Sequence, residues 1–163
     1  MMTRRELLAS GIAGVAVAFT GPWRVTAAPV RAPFAVTRTD AEWKDLLTPA
    51  QFAVLRREGT EHAFTSPLLN EKRRGTFACA GCGLELFSSS TKYDSHTGWP
   101  SFWAPLDQAV GVARDTSLGV VREAVHCARC GGHQGHVFDD GPRPTGLRYC
   151  INGVALSFRP DRA

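Results

Sequence analysis

Hydrophobic positions fall into three regimes along the chain. Leu7 to Gly21 is an almost unbroken apolar run. Between Thr39 and Gly59 the spacing becomes helical: Trp43, Leu46 and Leu47 share one face of a first short helix, and Phe52 and Leu55 one face of a second. Thr39-Asp40-Ala41-Glu42 and Thr48-Pro49-Ala50-Gln51 each have the spacing of a capping box, the second with proline at its first helical position, and Gly59 is a natural stop. From Gly75 onward short β-type runs alternate with Gly, Pro, Asp and Ser clusters. They cover Thr76–Cys79, Leu84–Phe87, Ala109–Arg114, Gly119–Cys127, Gly146–Asn152 and Ala155–Phe158. The pattern predicts a mainly antiparallel β domain over residues 39–163, preceded by short helices at its N-terminus and by an extended, proline-containing leader over 28–38.

The apolar run is 15 residues long and includes Ser10 and several glycines, short of the roughly 20 apolar residues a permanent membrane helix needs. Arg4-Arg5 precede it and Val25-Thr26-Ala27 follow it with small residues suited to cleavage, which is the layout of a signal peptide over 1–27. The paired arginines resemble the twin-arginine export signal of bacteria, so a folded, periplasmic protein with no membrane span after signal removal is expected. At 163 residues, 44% hydrophobic and 21% charged, the chain has room for one ordinary globular domain. Removing Arg4, Arg5, Arg24 and Glu6 takes the net charge from +4 to 16 − 14 = +2. With no basic run interleaved with aromatics, that small excess argues against nucleic acid as a partner.

Chemistry concentrates in the five cysteines. Cys79-Ala80-Gly81-Cys82-Gly83 and Cys127-Ala128-Arg129-Cys130-Gly131 are two knuckles, each able to aim two sulfurs at one ion, with glycines that permit positive φ. Four thiolates suit a structural, tetrahedral zinc; two disulfides are the alternative for an exported chain. Cys150 stands outside both knuckles. In Leu147-Arg148-Tyr149-Cys150-Ile151-Asn152, strand alternation puts Arg148, Cys150 and Asn152 on one face, where a cation favours thiolate; an inert core thiol is the competing reading. His133 and His136 lie in a glycine-flanked stretch that reads as a loop, with Asp139 or Asp140 able to orient one ring. Gly98-Trp99-Pro100-Ser101-Phe102-Trp103 is either a small apolar pocket or core packing.

In order and spacing, the two knuckles, Gly98-Trp99-Pro100-Ser101-Phe102, Gly132-His133-Gln134-Gly135-His136-Val137-Phe138 and Arg148-Tyr149-Cys150-Ile151-Asn152 resemble the type B peptide methionine-R-sulfoxide reductases, over roughly Thr39 to Pro160. That resemblance implies a small open-barrel-like β domain with one structural zinc on Cys79, Cys82, Cys127 and Cys130. It implies a monomer that reduces the R epimer of methionine sulfoxide in oxidised proteins. Cys150 is then the nucleophile, His136 with His133 holds or protonates the departing oxygen, and Arg148 biases Cys150 toward thiolate. Asn152 and Asp140 support the site, and Trp99 with Phe102 forms the substrate pocket. Many such enzymes carry a resolving cysteine where this chain has Thr97, so an external thiol or thioredoxin-like reductant is expected to regenerate Cys150. Gln134 and Gly153, where relatives often carry leucine and serine, point to an altered substrate preference. A zinc-ribbon binding module without catalysis is the rival reading; it predicts that Cys150 is dispensable.

Overall fold

The structure, a computed structural model, describes residues 34–162; the expected signal segment lies outside the described residues, as does the leader up to residue 33. Two short helices come first, α1 (Asp40–Leu46) and α2 (Pro49–Arg57). Both capping boxes form: Thr39 exchanges hydrogen bonds with Glu42, and Thr48 with Gln51. Trp43, Leu47, Phe52, Val54 and Leu55 are buried, whereas Leu46 points into solvent, because seven residues give α1 too narrow a buried stripe to include it. The left-handed residue that ends α2 is Glu58, not Gly59. Gly59 follows it because a side chain there would press on the Ala53 carbonyl.

Nine strands follow: β1 (Gly75–Cys79), β2 (Glu85–Ser88), β3 (Lys92–Tyr93), β4 (Ser101–Phe102), β5 (Val110–Asp115), β6 (Arg122–Cys127), β7 (His133–Phe138), β8 (Arg148–Ile151) and β9 (Leu156–Pro160). They form two antiparallel sheets, β2-β1-β9 and β3-β4-β8-β7-β6-β5. Neither sheet closes into a barrel; the large one ends in open edges at β3 and β5.

Register decides which side chains meet. Tyr93 pairs with Ser101, Ser101 with Cys150, Cys150 with His136 and His136 with Ala124, so one row of side chains crosses five strands on one face. The next row contains Arg148 opposite Phe138, and Asp115 opposite Arg122. Residues of opposite parity face the core, where Phe102 stacks on Phe87 at 4.4 Å and meets Phe77 edge-on at 5.0 Å. Phe102 has 0% exposure, which corrects its expected place in the substrate pocket: parity gives the cleft face to Ser101 and the core face to Phe102.

Candidate active site and metal centre

The two knuckles are built alike. Each begins on the last residue of a strand, Cys79 on β1 and Cys127 on β6, and turns back through a backbone bond four residues long: Gly83 N–H to Cys79 O at 2.8 Å and Gly131 N–H to Cys127 O at 2.9 Å. Gly83 and Gly131 have φ of 71° and 68°, the left-handed conformation that excludes most side chains at low cost only for glycine. The four sulfurs lie within 4.8 Å of one another, with Cys79 to Cys130 at 3.7 Å and Cys82 to Cys127 at 3.5 Å. A tetrahedron of thiolates about 2.3 Å from an ion has edges of about 3.8 Å, so the set fits a tetrahedral metal. A disulfide needs sulfurs about 2.05 Å apart, and all five cysteines are free. The sulfurs compete for negative charge: hydrogen bonds from Cys127 and Cys130 pull the Cys79 thiol down, while bonds to Cys127 and Cys79 push the Cys130 thiol up. Four thiolates this close need a positive charge between them.

The centre ties the small sheet to the large one, and the helices cover it. Trp43 and Leu55 lie over Gly81, Leu55 lies over Gly132, and Arg56 Nη1 donates to Cys130 O at 3.1 Å. Gln134 is fully buried, and its amide donates to Cys79 Sγ at 3.5 Å and to Gly132 O at 3.2 Å. Gln134 therefore touches the metal centre directly through its side chain.

A cleft of about 150 Å³ opens on the other part of the large sheet, lined by Thr60, Trp99, Arg122, His136, Phe138, Cys150 and Asn152. Cys150 is half-buried. Burial pushes its thiol up, and the Thr97 hydroxyl at 3.8 Å and the Arg148 guanidinium pull it down without prevailing. Arg148 is itself held by Asp140 through two 2.8 Å bonds, and its guanidinium stacks over Phe138 at 4.4 Å. The expected bias toward thiolate is thus present in direction but outweighed: Asp140 spends part of the cation's field, and desolvation of the sulfur is larger.

His136 Nε2 lies 2.8 Å from Asp115 Oδ2, and Arg122 Nη2 donates to the same oxygen at 2.6 Å. A carboxylate only accepts, so Nε2 carries the proton in that bond and Nδ1 is the nitrogen left to exchange one. The Ser117 backbone N–H, the Ser117 side chain and His136 together hold Asp115 below the usual carboxylate range. The orienting carboxylate is therefore Asp115, not Asp139 or Asp140. The histidines lie on strand β7 rather than a loop, and only His136 reaches the cleft. His133 is buried behind it, ring centroids 5.3 Å apart; burial, with the neighbouring His136, lowers its pKa to about 4, and its Nε2 has no hydrogen-bond partner among the described residues.

Asn152 is braced from both sides, its amide donating to Gln134 O at 3.0 Å and its oxygen accepting from Glu61 N–H at 3.0 Å. Glu61 was not visible as a site residue in the sequence. Its carboxylate accepts the backbone N–H groups of Gly153 and Val154, and its carbonyl accepts from the Trp99 indole at 3.1 Å. One residue of the segment after α2 thus fixes Trp99, Asn152 and the turn behind Cys150. Gly153 is packed against Ser66, with no room for a side chain.

A half-buried thiol flanked by a cation and an anchored imidazole defines a thiol-dependent enzyme, with a four-cysteine metal centre as its brace. Residues 47–160 match the SelR domain. The chain is 52% identical over 129 residues to "Peptide methionine sulfoxide reductase MsrB" of Leptospira interrogans, covering 78% of this chain and 98% of the relative. It is 54% identical over 126 residues to the protein of that name from Pseudomonas putida strain W619, covering 77% and 95%, and 52% identical over 128 residues to the one from Methanosarcina barkeri, covering 78% and 90%. The chain belongs to the SelR-domain, MsrB-type family of peptide methionine sulfoxide reductases.

Proposed function

We propose that this protein reduces the R epimer of methionine sulfoxide in oxidised proteins to methionine. The observation that carries the reading is the cleft itself, in which Cys150, an anchored His136 and the Trp99 indole converge on a space the size of one side chain. Cys150 sulfur, as thiolate, attacks the electrophilic sulfoxide sulfur while His136 gives a proton to the oxygen. The oxygen passes to cysteine, methionine departs, and Cys150 is left as a sulfenic acid: sulfoxide sulfur is reduced by two electrons and cysteine sulfur oxidised by two. Trp99 receives the methyl group, and Asn152 steadies the cleft floor. His133, neutral and behind His136, supports that ring without reaching the substrate.

Thr97 touches Cys150 where a resolving thiol would stand, and the other four cysteines are committed to the metal centre. Regeneration then falls to an external thiol, a thioredoxin-like protein in the cell: its thiolate attacks the sulfenic sulfur, water leaves, and a second thiol releases the mixed disulfide. Zinc is the ion proposed for the centre, held by Cys79, Cys82, Cys127 and Cys130; it braces the fold and takes no part in the reaction. The cleft is complete within one chain, which supports action as a monomer. Export by the twin-arginine route to a bacterial periplasm rests on Arg4-Arg5 and the apolar run behind them. Cell fractionation tests it: Lys at both positions is expected to leave the protein in the cytoplasm, and unchanged export overturns the route. For the reaction, Cys150→Ser is expected to abolish sulfoxide reduction while keeping the fold; retained reduction would remove Cys150 from the chemistry, and a folded wild type without sulfoxide reduction would favour the binding module.

A further inference from the structure

The cleft is small, about 150 Å³, and opens at the surface of the sheet. A methionine sulfoxide within a polypeptide must leave its flanking residues outside, against the rim. One side of that rim is the outermost rung of the β5–β6 hairpin: Asp115, which holds His136, pairs with Arg122, which lines the cleft. The turn beyond the rung carries Leu118, Val120 and Val121 at 70%, 58% and 62% exposure. Of the seven large hydrophobic side chains exposed among the described residues, these three fall within four positions, and none adds to the core. An apolar cluster beside a reactive cleft is the mark of a contact surface.

The chemistry of the substrate says what it contacts. Methionine is mostly buried among apolar neighbours, and its oxidation puts a polar group there, which loosens the packing and exposes them. We propose that the hairpin tip, Leu118 to Val121, is a docking lip for the apolar residues flanking methionine sulfoxide in locally unfolded protein. The lip selects damaged, loosened chain over free amino acid or intact surface, because only the first offers apolar residues within reach of the cleft. This rests on the proposed reductase activity and adds to it a site outside the catalytic groups.

The test compares wild type with the Leu118→Ser, Val120→Ser, Val121→Ser triple variant and with Leu118→Ser alone. Dithiothreitol as reductant removes any docking of a protein reductant. Two substrates are used: a peptide with Leu and Phe flanking methionine-R-sulfoxide, and N-acetyl methionine-R-sulfoxide. Expected is a rise in KM for the peptide of about tenfold or more in the triple variant, smaller in the single one, with kcat unchanged and both constants for the small substrate unchanged. An unchanged peptide KM, an equal loss on both substrates, or a change in oligomeric state as the only effect overturns the docking lip. A loss seen only with thioredoxin as reductant would assign the tip to the reductant and overturn it too. Wild-type inactivity on both sulfoxides would instead sink the reductase reading, and the lip with it.

Discussion

Cys150 is balanced between burial, which keeps it a thiol, and two donors, Thr97 and Arg148, which favour the thiolate. Because burial prevails, reaction with iodoacetamide is expected to rise with pH beyond the ordinary cysteine value near 8.5. Arg148→Gln removes a cation and moves that rise to higher pH; Asp140→Asn removes an anion and moves it lower. Shifts of the same sign in both variants would contradict this balance. His133 is the other displaced titration: its NMR signals are expected to stay those of neutral imidazole down to about pH 4. Since the unfolded histidine takes up its proton near 6.5, this residue makes the fold less stable as pH falls from 6.5 toward 4. Asp115→Asn removes the anchor of His136 and is expected to lower kcat by about a hundredfold with little change in KM. Alternation along a strand made Arg148 and Cys150 legible as neighbours. Asp115 was not, because its partner His136 is 21 residues away and the contact exists only through the β5-β6-β7 register.

At the scale of elements, the two capping boxes and both knuckles were legible, since each is closed by residues within four positions of one another. The glycines of β7 look like turn residues, so the sequence points to a loop where the structure has a strand. Gly135 is there for another reason: the β8 backbone at Cys150 and Ile151 approaches so closely that a side chain would collide with it. Phe102 misled in the opposite direction, since an aromatic string does not reveal parity until Ser101 is known to pair with Cys150. The loop from Ser95 to Trp99 supplies the element-scale prediction. Thr97 Oγ1 lies 3.8 Å from Cys150 Sγ. In Thr97→Cys a second sulfur would stand within reach, and one turnover without reductant is expected to yield an intramolecular disulfide visible by mass spectrometry. Wild type should show sulfenic acid only; a disulfide to Cys150 in active, metal-loaded wild type would contradict the external-thiol route.

For the whole domain, the metal centre ties together the small sheet, the large sheet and the two helices that cover it. The zinc proposed for this centre would contribute about 10–16 kcal/mol of apparent binding free energy, against about 5–15 kcal/mol for the stability of an entire domain. Removal of the ion with a strong chelator is therefore expected to unfold the protein cooperatively, and Cys79→Ser to prevent folding; an unchanged Tm after metal loss would show that the core alone suffices. No helix among the described residues is long and apolar enough to cross a membrane. The central claim is that the Cys150 cleft reduces one epimer of methionine sulfoxide, and turnover of the two separated epimers with dithiothreitol tests it most directly. Reduction of the R epimer alone, abolished by Cys150→Ser, is the predicted result; no R-epimer activity in folded, zinc-loaded protein would contradict the account.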